Sequence, residues 1–229
     1  MYSGQFPYRP SAAAVLGKAF HSNYELWEQE GRAYPLSSTF IDFYRAEIAS
    51  EEVNTPLDKW VTAPRVKDVA NDIEIRAENG LLMCESYEEH CRESPWHIIQ
   101  LEQKFTLDLG DFEVWGAVDS LLGWPSGNET IRDLKTGNRE KSGFQLGVYK
   151  YAIRKSLGVT IEWGEYYYTK DGKAVEVDLK RYTDTYIEDQ LVKLDKAIMA
   201  ELFLANPGDA CTFCGVKEYC REVGTKSLA

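Results

Sequence analysis

Gly116-Ala117-Val118-Asp119, then Asp133-Leu134-Lys135-Thr136-Gly137, then Gln145 and Tyr149 decide how this chain is read. Residues 112–122 alternate apolar and polar, as a strand does. Pro125-Ser126-Gly127-Asn128 is a turn of the kind that joins antiparallel strands, and residues 129–135 alternate again. Asp133 and Lys135 are two apart, so on a strand they share one face. Hairpin pairing would bring Asp119 close to Asp133. Two neighbouring carboxylates repel unless a positive charge lies between them. Hard oxygen donors then suit Mg²⁺ or Mn²⁺. Lys135 would sit where it can orient or deprotonate a water, or stabilise charge developing on a phosphorus centre. Each residue alone also reads as a turn-flanking or solvated polar group. The set, in this order on one hairpin, argues for a site.

Working outward, residues 97–109 predict a strand before the hairpin, with Gly110-Asp111 as the turn between. Ser142 is placed to cap a helix that Gly158 closes. Residues 159–167 alternate as a fourth strand, and 174–179 form a fifth after Asp171-Gly172. A strand–helix–strand crossover makes the fourth strand parallel to the third. Upstream, helices are expected from Ser11 to about residue 30, over 39–49 and over 66–92, with a loop over 51–64. Thr183 or Asp184 caps a last helix to about residue 205. The expected fold class is α/β, with a mixed central sheet flanked by helices and a cysteine cluster at the C-terminal end.

Composition sets the limits. The chain has 229 residues and 44% hydrophobic content, enough for a sizeable core. Apolar runs are short, so no membrane span is expected. The N-terminal stretch lacks signal-peptide character, and a cytoplasmic location is the default. A net charge of −11 counts against nonspecific nucleic-acid binding. Two facts limit that objection. A bound divalent ion inverts the local field of a carboxylate site. Residues 139–155 also carry Arg139, Lys141, Lys150, Arg154 and Lys155 against Glu140, and Lys141, Lys150 and Arg154 are expected along a DNA path. On the expected helix, Lys141, Gln145 and Tyr149 fall on one face and could hold a DNA backbone. The bland alternative is a solvated polar face.

The quoted blocks resemble the PD-(D/E)XK nuclease superfamily, and within it the RecB-like exonuclease branch with its CRISPR-associated and phage-encoded relatives. Leu16-Gly17-Lys18-Ala19-Phe20-His21 resembles that branch's first block, so the likeness spans nearly the whole chain. It implies a restriction-endonuclease-like core. It implies metal ligation by His21, Asp119, Asp133 and the Leu134 carbonyl, with Lys135, Gln145 and Tyr149 completing the catalytic set. Glu102 stands where such proteins often carry an acid; a strand-edge charge is the other reading. The implied activity is metal-dependent exonucleolytic hydrolysis of DNA at single-stranded or frayed ends, in recombination, repair or CRISPR spacer processing. Helicase or integrase partners are implied as well. The rival is a noncatalytic DNA-end-binding or scaffold subunit, which would have less reason to keep Asp119, Asp133 and Lys135. One nuclease domain over 1–229 is expected: a helical part over 1–95, a core over 96–180, and a last helix with cysteines over 181–229.

Cys211, Cys214 and Cys220 lie at two- and five-residue spacings, which suit iron–sulfur or zinc. An odd total of five cysteines argues against a disulfide framework. In the family, three such cysteines join an early one around a [4Fe–4S] cluster. Here no cysteine precedes Cys84. The fourth ligand is therefore lost, lies upstream, or is supplied by Cys84 or Cys91.

Overall fold

The computed structural model describes residues 9–140 and 142–202 and, beyond these, residues 207, 208, 211, 214, 217, 220, 222 and 223. The chain forms two compact units. The first holds the described residues up to Trp27, Arg32–Glu85, and the described residues from 207 onward. The second holds Glu28–Gly31 and the described residues from Ser86 to 202.

The first unit is helical. It contains nearly all of α1 (Ala12–Gln29), α2 (Ser37–Glu52), a 3₁₀ turn at Leu57–Lys59, and α3 (Val69–Glu93) as far as Glu85. Ser11 caps α1 as expected, its Oγ accepting from the Ala14 amide at 3.2 Å. Val15, Leu16, Ala19, Phe20 and Tyr24 form the buried stripe of α1. Asn23 continues that stripe and is fully buried, so its amide must be satisfied. It donates to the Leu36 carbonyl at 2.9 Å and accepts from Thr39 Oγ1 at 2.7 Å. Gly80 lets α3 meet α2 closely, since a Cβ there would lie 2.0 Å from the Phe40 ring. That clash outweighs the ~1 kcal/mol of helix propensity an alanine would add.

The second unit carries a five-stranded sheet in the order β1-β2-β3-β4-β5. The strands are β1 (His97–Asp108), β2 (Glu113–Gly123), β3 (Glu129–Lys135), β4 (Trp163–Tyr168) and β5 (Lys173–Asp178). β1–β2, β2–β3 and β4–β5 are antiparallel, while β3–β4 is parallel. The crossover between β3 and β4 is α4 (Phe144–Leu157), which lies against β1 and β3. Gly158 closes α4 with φ +72°, its amide reaching the Arg154 carbonyl. The last helix, α5 (Asp184–Met199), packs on α4 and is capped by Thr183, whose Oγ1 accepts from the Tyr186 amide at 3.3 Å. Leu121, Ile131, Leu146, Ile153, Tyr166, Leu179 and Ile187 form the core between α4, α5 and the sheet. The last turns of α3 meet Tyr167 through the rings of Tyr87 and His90, at 5.1 and 4.6 Å. The expected α/β architecture, a mixed sheet flanked by helices, is the one observed.

Three expectations on element boundaries are corrected. The ladder of β4 starts at Trp163, not at residue 159. α5 ends at Met199, not near 205. There Glu201 adopts φ +53°, and the amides of Glu201 and Leu202 turn back to the Ile198 and Ala197 carbonyls. The expected loop over 51–64 carries the end of α2 and the 3₁₀ turn.

Candidate active site

In the second unit, β2, β3 and α4 bring most of the expected residues together. Ser120 pairs with Arg132, so Asp119 and Asp133 lie one step further along the same hairpin. Both carboxylates are buried. Asp119 Oδ2 accepts from the Leu134 amide at 2.8 Å, which fixes it against β3. Lys135 Nζ lies 2.8 Å from Asp133 Oδ2 and donates to Gln145 Oε1 at 2.7 Å. Gln145 Nε2 donates to the Tyr149 hydroxyl at 2.8 Å. Asp133, Lys135, Gln145 and Tyr149 thus form one connected chain from strand to helix. The chain can work because Gln145 and Tyr149 are one turn apart.

The electrostatics agree with the geometry. Burial alone would lower the Lys135 pKa. The Asp133 carboxylate, through charge and hydrogen bond, outweighs it with help from Glu140 and Asp119, and the value rises. Tyr149 is pushed well above the ordinary phenol range, first by burial and then by the charges of Asp119, Asp133 and Glu102. Tyr166 is pushed up by burial and by Asp133 and Glu140. Three carboxylates, Asp119, Asp133 and Glu102, therefore act together on Tyr149.

Glu102 is the third, a residue that also reads from the sequence as a strand-edge charge. A carboxylate oxygen of Glu102 lies within 4.8 Å of one on Asp119. The flanking pairs Leu101↔Ser120 and Gln103↔Val118 put it opposite Asp119. Its φ of +45° is left-handed, a costly state for a residue with a Cβ. The available signal was the short Gly110-Asp111 turn, which sets the β1–β2 register.

Among the other expected residues, His21 lies on α1 in the first unit and is half-buried. Lys141 is outside the described residues. Lys150, expected along a DNA path, is buried, with Nζ donating to the Leu179 carbonyl at 2.8 Å. Its aliphatic stem lets it sit on a helix buried almost all round. Arg139, Arg154 and Lys155 pair with Asp171, Asp184 and Glu188 at 3.0, 3.2 and 3.8 Å. The basic stretch is thus largely engaged within the chain. Cys211, Cys214 and Cys220 are half-buried thiols in the first unit, and Cys211 Sγ accepts from the Gly208 amide at 3.3 Å.

An Asp–Asp–Lys arrangement on a hairpin, followed by a Gln–Tyr helix, is a pattern that a family model can test. The model of the PD-(D/E)XK nuclease superfamily matches residues 2–221. The chain belongs to the PD-(D/E)XK nuclease superfamily. It is 30% identical to the Gene 69 protein of Mycobacterium phage D29 over 93% of this chain and 86% of that protein. It is 26% identical to the Gene 69 protein of Mycobacterium phage L5, with the same coverage. A solved structure of a candidate exonuclease from Eubacterium rectale aligns with a TM-score of 0.41 and 12% identity, over 87% of this chain and 70% of that one. Membership in this superfamily supports a nuclease acting on DNA. PD-(D/E)XK nucleases use divalent metals such as Mg²⁺. Among the described residues, no helix is long and apolar enough to cross a membrane.

Proposed function

We propose that this superfamily member is a metal-dependent DNA exonuclease acting at single-stranded or frayed ends. One observation carries the reading: Lys135 is held between Asp133 and Gln145 on a strand that also fixes the Asp119 carboxylate. The donor set fits a hard divalent cation. Asp119 and Glu102 offer carboxylate oxygens within 4.8 Å of each other, and the hairpin register sets Asp133 opposite Asp119. By the family likeness, His21 and the Leu134 carbonyl add to that set, and the two units serve one nuclease domain. A bound Mg²⁺ or Mn²⁺ would supply charge neutralisation and a more acidic water. Lys135 then holds its positive charge toward the reacting phosphate, kept in place by Asp133 and Gln145. Gln145 in turn is steadied by Tyr149. Recombination, repair or spacer processing in the cytoplasm, with helicase or integrase partners, fits this chemistry. Intact Asp119, Asp133 and Lys135 weigh against a noncatalytic scaffold.

The test is an assay on end-labelled DNA. Cleavage should appear with Mg²⁺ or Mn²⁺, vanish with EDTA, and return on adding metal. Internal cuts in a closed circle, or cleavage that persists in EDTA, would overturn the exonuclease or the metal respectively.

We also propose that Cys211, Cys214 and Cys220 share a structural [4Fe–4S] cluster, with zinc as the alternative guest. Supporting this, the Cys214, Lys217 and Cys220 amides each turn back to the carbonyl three residues earlier. The Gly208 amide also donates to Cys211 Sγ, as amides do around liganded sulfur. Metal–thiolate bonds would add their binding energy to folding. Protein purified without air should carry iron and sulfide, or else zinc. Three fully alkylatable thiols with none of these elements would rule the centre out.

A further inference from the structure

Ser142, Phe144, Arg181, Tyr182 and Tyr186 line a cleft of ≈ 380 Å³ in the second unit. Three of these are aromatic and meet as a cluster. Phe144 and Tyr186 are edge to face at 6.5 Å, and Tyr182 and Tyr186 are 6.0 Å apart. The Arg181 guanidinium lies 4.8 Å from the Tyr182 ring centre, and Nη2 donates to its hydroxyl at 2.6 Å. Tyr182 is the buried floor, its hydroxyl also accepting from the Gly143 amide at 3.1 Å. Tyr186 and Arg181 are exposed and Phe144 half-exposed. Asp178 is a carboxylate whose charge reaches Arg181.

The cleft adjoins the candidate active site. Phe144 precedes Gln145 on the first turn of α4. The Ser142 carbonyl accepts from the Tyr166 hydroxyl at 3.0 Å, and Tyr166 is the β4 neighbour of Asp133.

We propose that this cleft binds an unpaired base of single-stranded DNA, stacked on the exposed Tyr186 ring with Phe144 beside it, and with Arg181 against the adjoining phosphate. The choice of ligand rests on the nuclease reading; the stacking chemistry comes from the cleft. Aromatic faces stack any base without reading sequence, and an arginine at the rim meets the polyanion. A volume near the lower end of small-ligand pockets, ~300–1,000 Å³, admits a nucleotide and excludes a duplex. The cleft thus adds a preference for unpaired ends to a site whose carboxylates would meet the phosphate only through a bound metal.

The test uses the full chain and oligonucleotides carrying 2-aminopurine at successive positions from either end. Ca²⁺ replaces Mg²⁺, and strand integrity is checked on a gel. Stacking should quench the fluorescence at one or two positions. Tyr186→Ala should weaken single-strand binding about tenfold and remove the quench, while Tyr186→Trp keeps both. Arg181→Gln should weaken binding and lower the salt slope by about one unit. A blunt hairpin without unpaired ends should lose little. Equal affinity in Tyr186→Ala and wild type, equal losses on blunt and single-stranded DNA, or no quench at any position would overturn the cleft. Cleavage with those negative results sinks the cleft and leaves the nuclease. Quenching without cleavage in Mg²⁺ or Mn²⁺ sinks the nuclease and leaves the cleft.

Discussion

Asp133→Asn is expected to lower DNA cleavage by about 10²- to 10³-fold while the protein stays folded. The substitution keeps the side chain's shape and removes its charge. Lys135 loses an ion pair of 2.8 Å but keeps Gln145 at 2.7 Å and Glu140 at 3.6 Å, so it is not stranded. Removing one of three neighbouring carboxylates also relieves repulsion. These effects oppose each other, and the stability change should stay within about 1 kcal/mol. What is lost is the group that orients Lys135 and, on the proposed mechanism, a metal donor. End-labelled DNA and a thermal melt decide it together. Wild-type cleavage in a clean preparation would remove Asp133 from the chemistry. A collapsed melt would mean its role is structural.

Arg132→Met is expected to cost about 3–5 kcal/mol, or roughly 10 °C in melting midpoint. Arg132 is fully buried on β3, beside the site but on the opposite face from Asp133. Its Nε donates to Glu165 Oε1, its strand neighbour on β4. Nη1 donates to the Tyr87 hydroxyl at 3.3 Å, Nη2 meets His90 Nε2 at 3.1 Å, and the guanidinium sits 4.2 Å from the Trp96 ring centre. Methionine fills much of the space but leaves the Glu165 carboxylate buried without its cation. That residual charge, not the lost bond, dominates the cost. The double variant Arg132→Met with Glu165→Leu should therefore be more stable than Arg132→Met alone. Urea titrations of the four proteins measure the coupling. If the double variant is no better than the single, the desolvation argument fails.

The fold was legible wherever local chemistry spoke. Gly110-Asp111, Pro125-Ser126-Gly127-Asn128 and Gly158 ended elements where expected, and the parallel pairing followed from the helix between β3 and β4. Boundaries failed where burial mimicked pairing. Ile161 is buried and alternates with its neighbours, yet the ladder begins at Trp163. The end of α5 was unreadable because Glu201, not a glycine, takes the left-handed position. Asp119, Asp133, Lys135, Gln145 and Tyr149 could be grouped because hairpin and helix spacings bring them together, while the roles expected of them came from the family resemblance. The weight of Glu102 depended on counting back from the Gly110-Asp111 turn along the β1–β2 register, which runs without a shift from Asp108↔Glu113 to Gln100↔Leu121. Lys150 was misjudged because helical periodicity shows a polar residue's angle but not whether neighbouring elements cover it. The Arg132–Glu165 pair joins residues 33 apart and exists only once the crossover sets the register of β3 on β4.

The left-handed backbone at Glu102 has a bearing on descent. Glycine there would relax the chain at no steric cost, so stability alone favours losing the acid. With Glu102 as a metal donor, as proposed, selection for stability and selection for cleavage would pull in opposite directions at this one codon. In a lineage still cutting DNA, the carboxylate should persist against that pull. In a lineage that has stopped, glycine or asparagine should replace it early, before the buried aspartates change. Residue 102 would then act as a clock for the loss of activity.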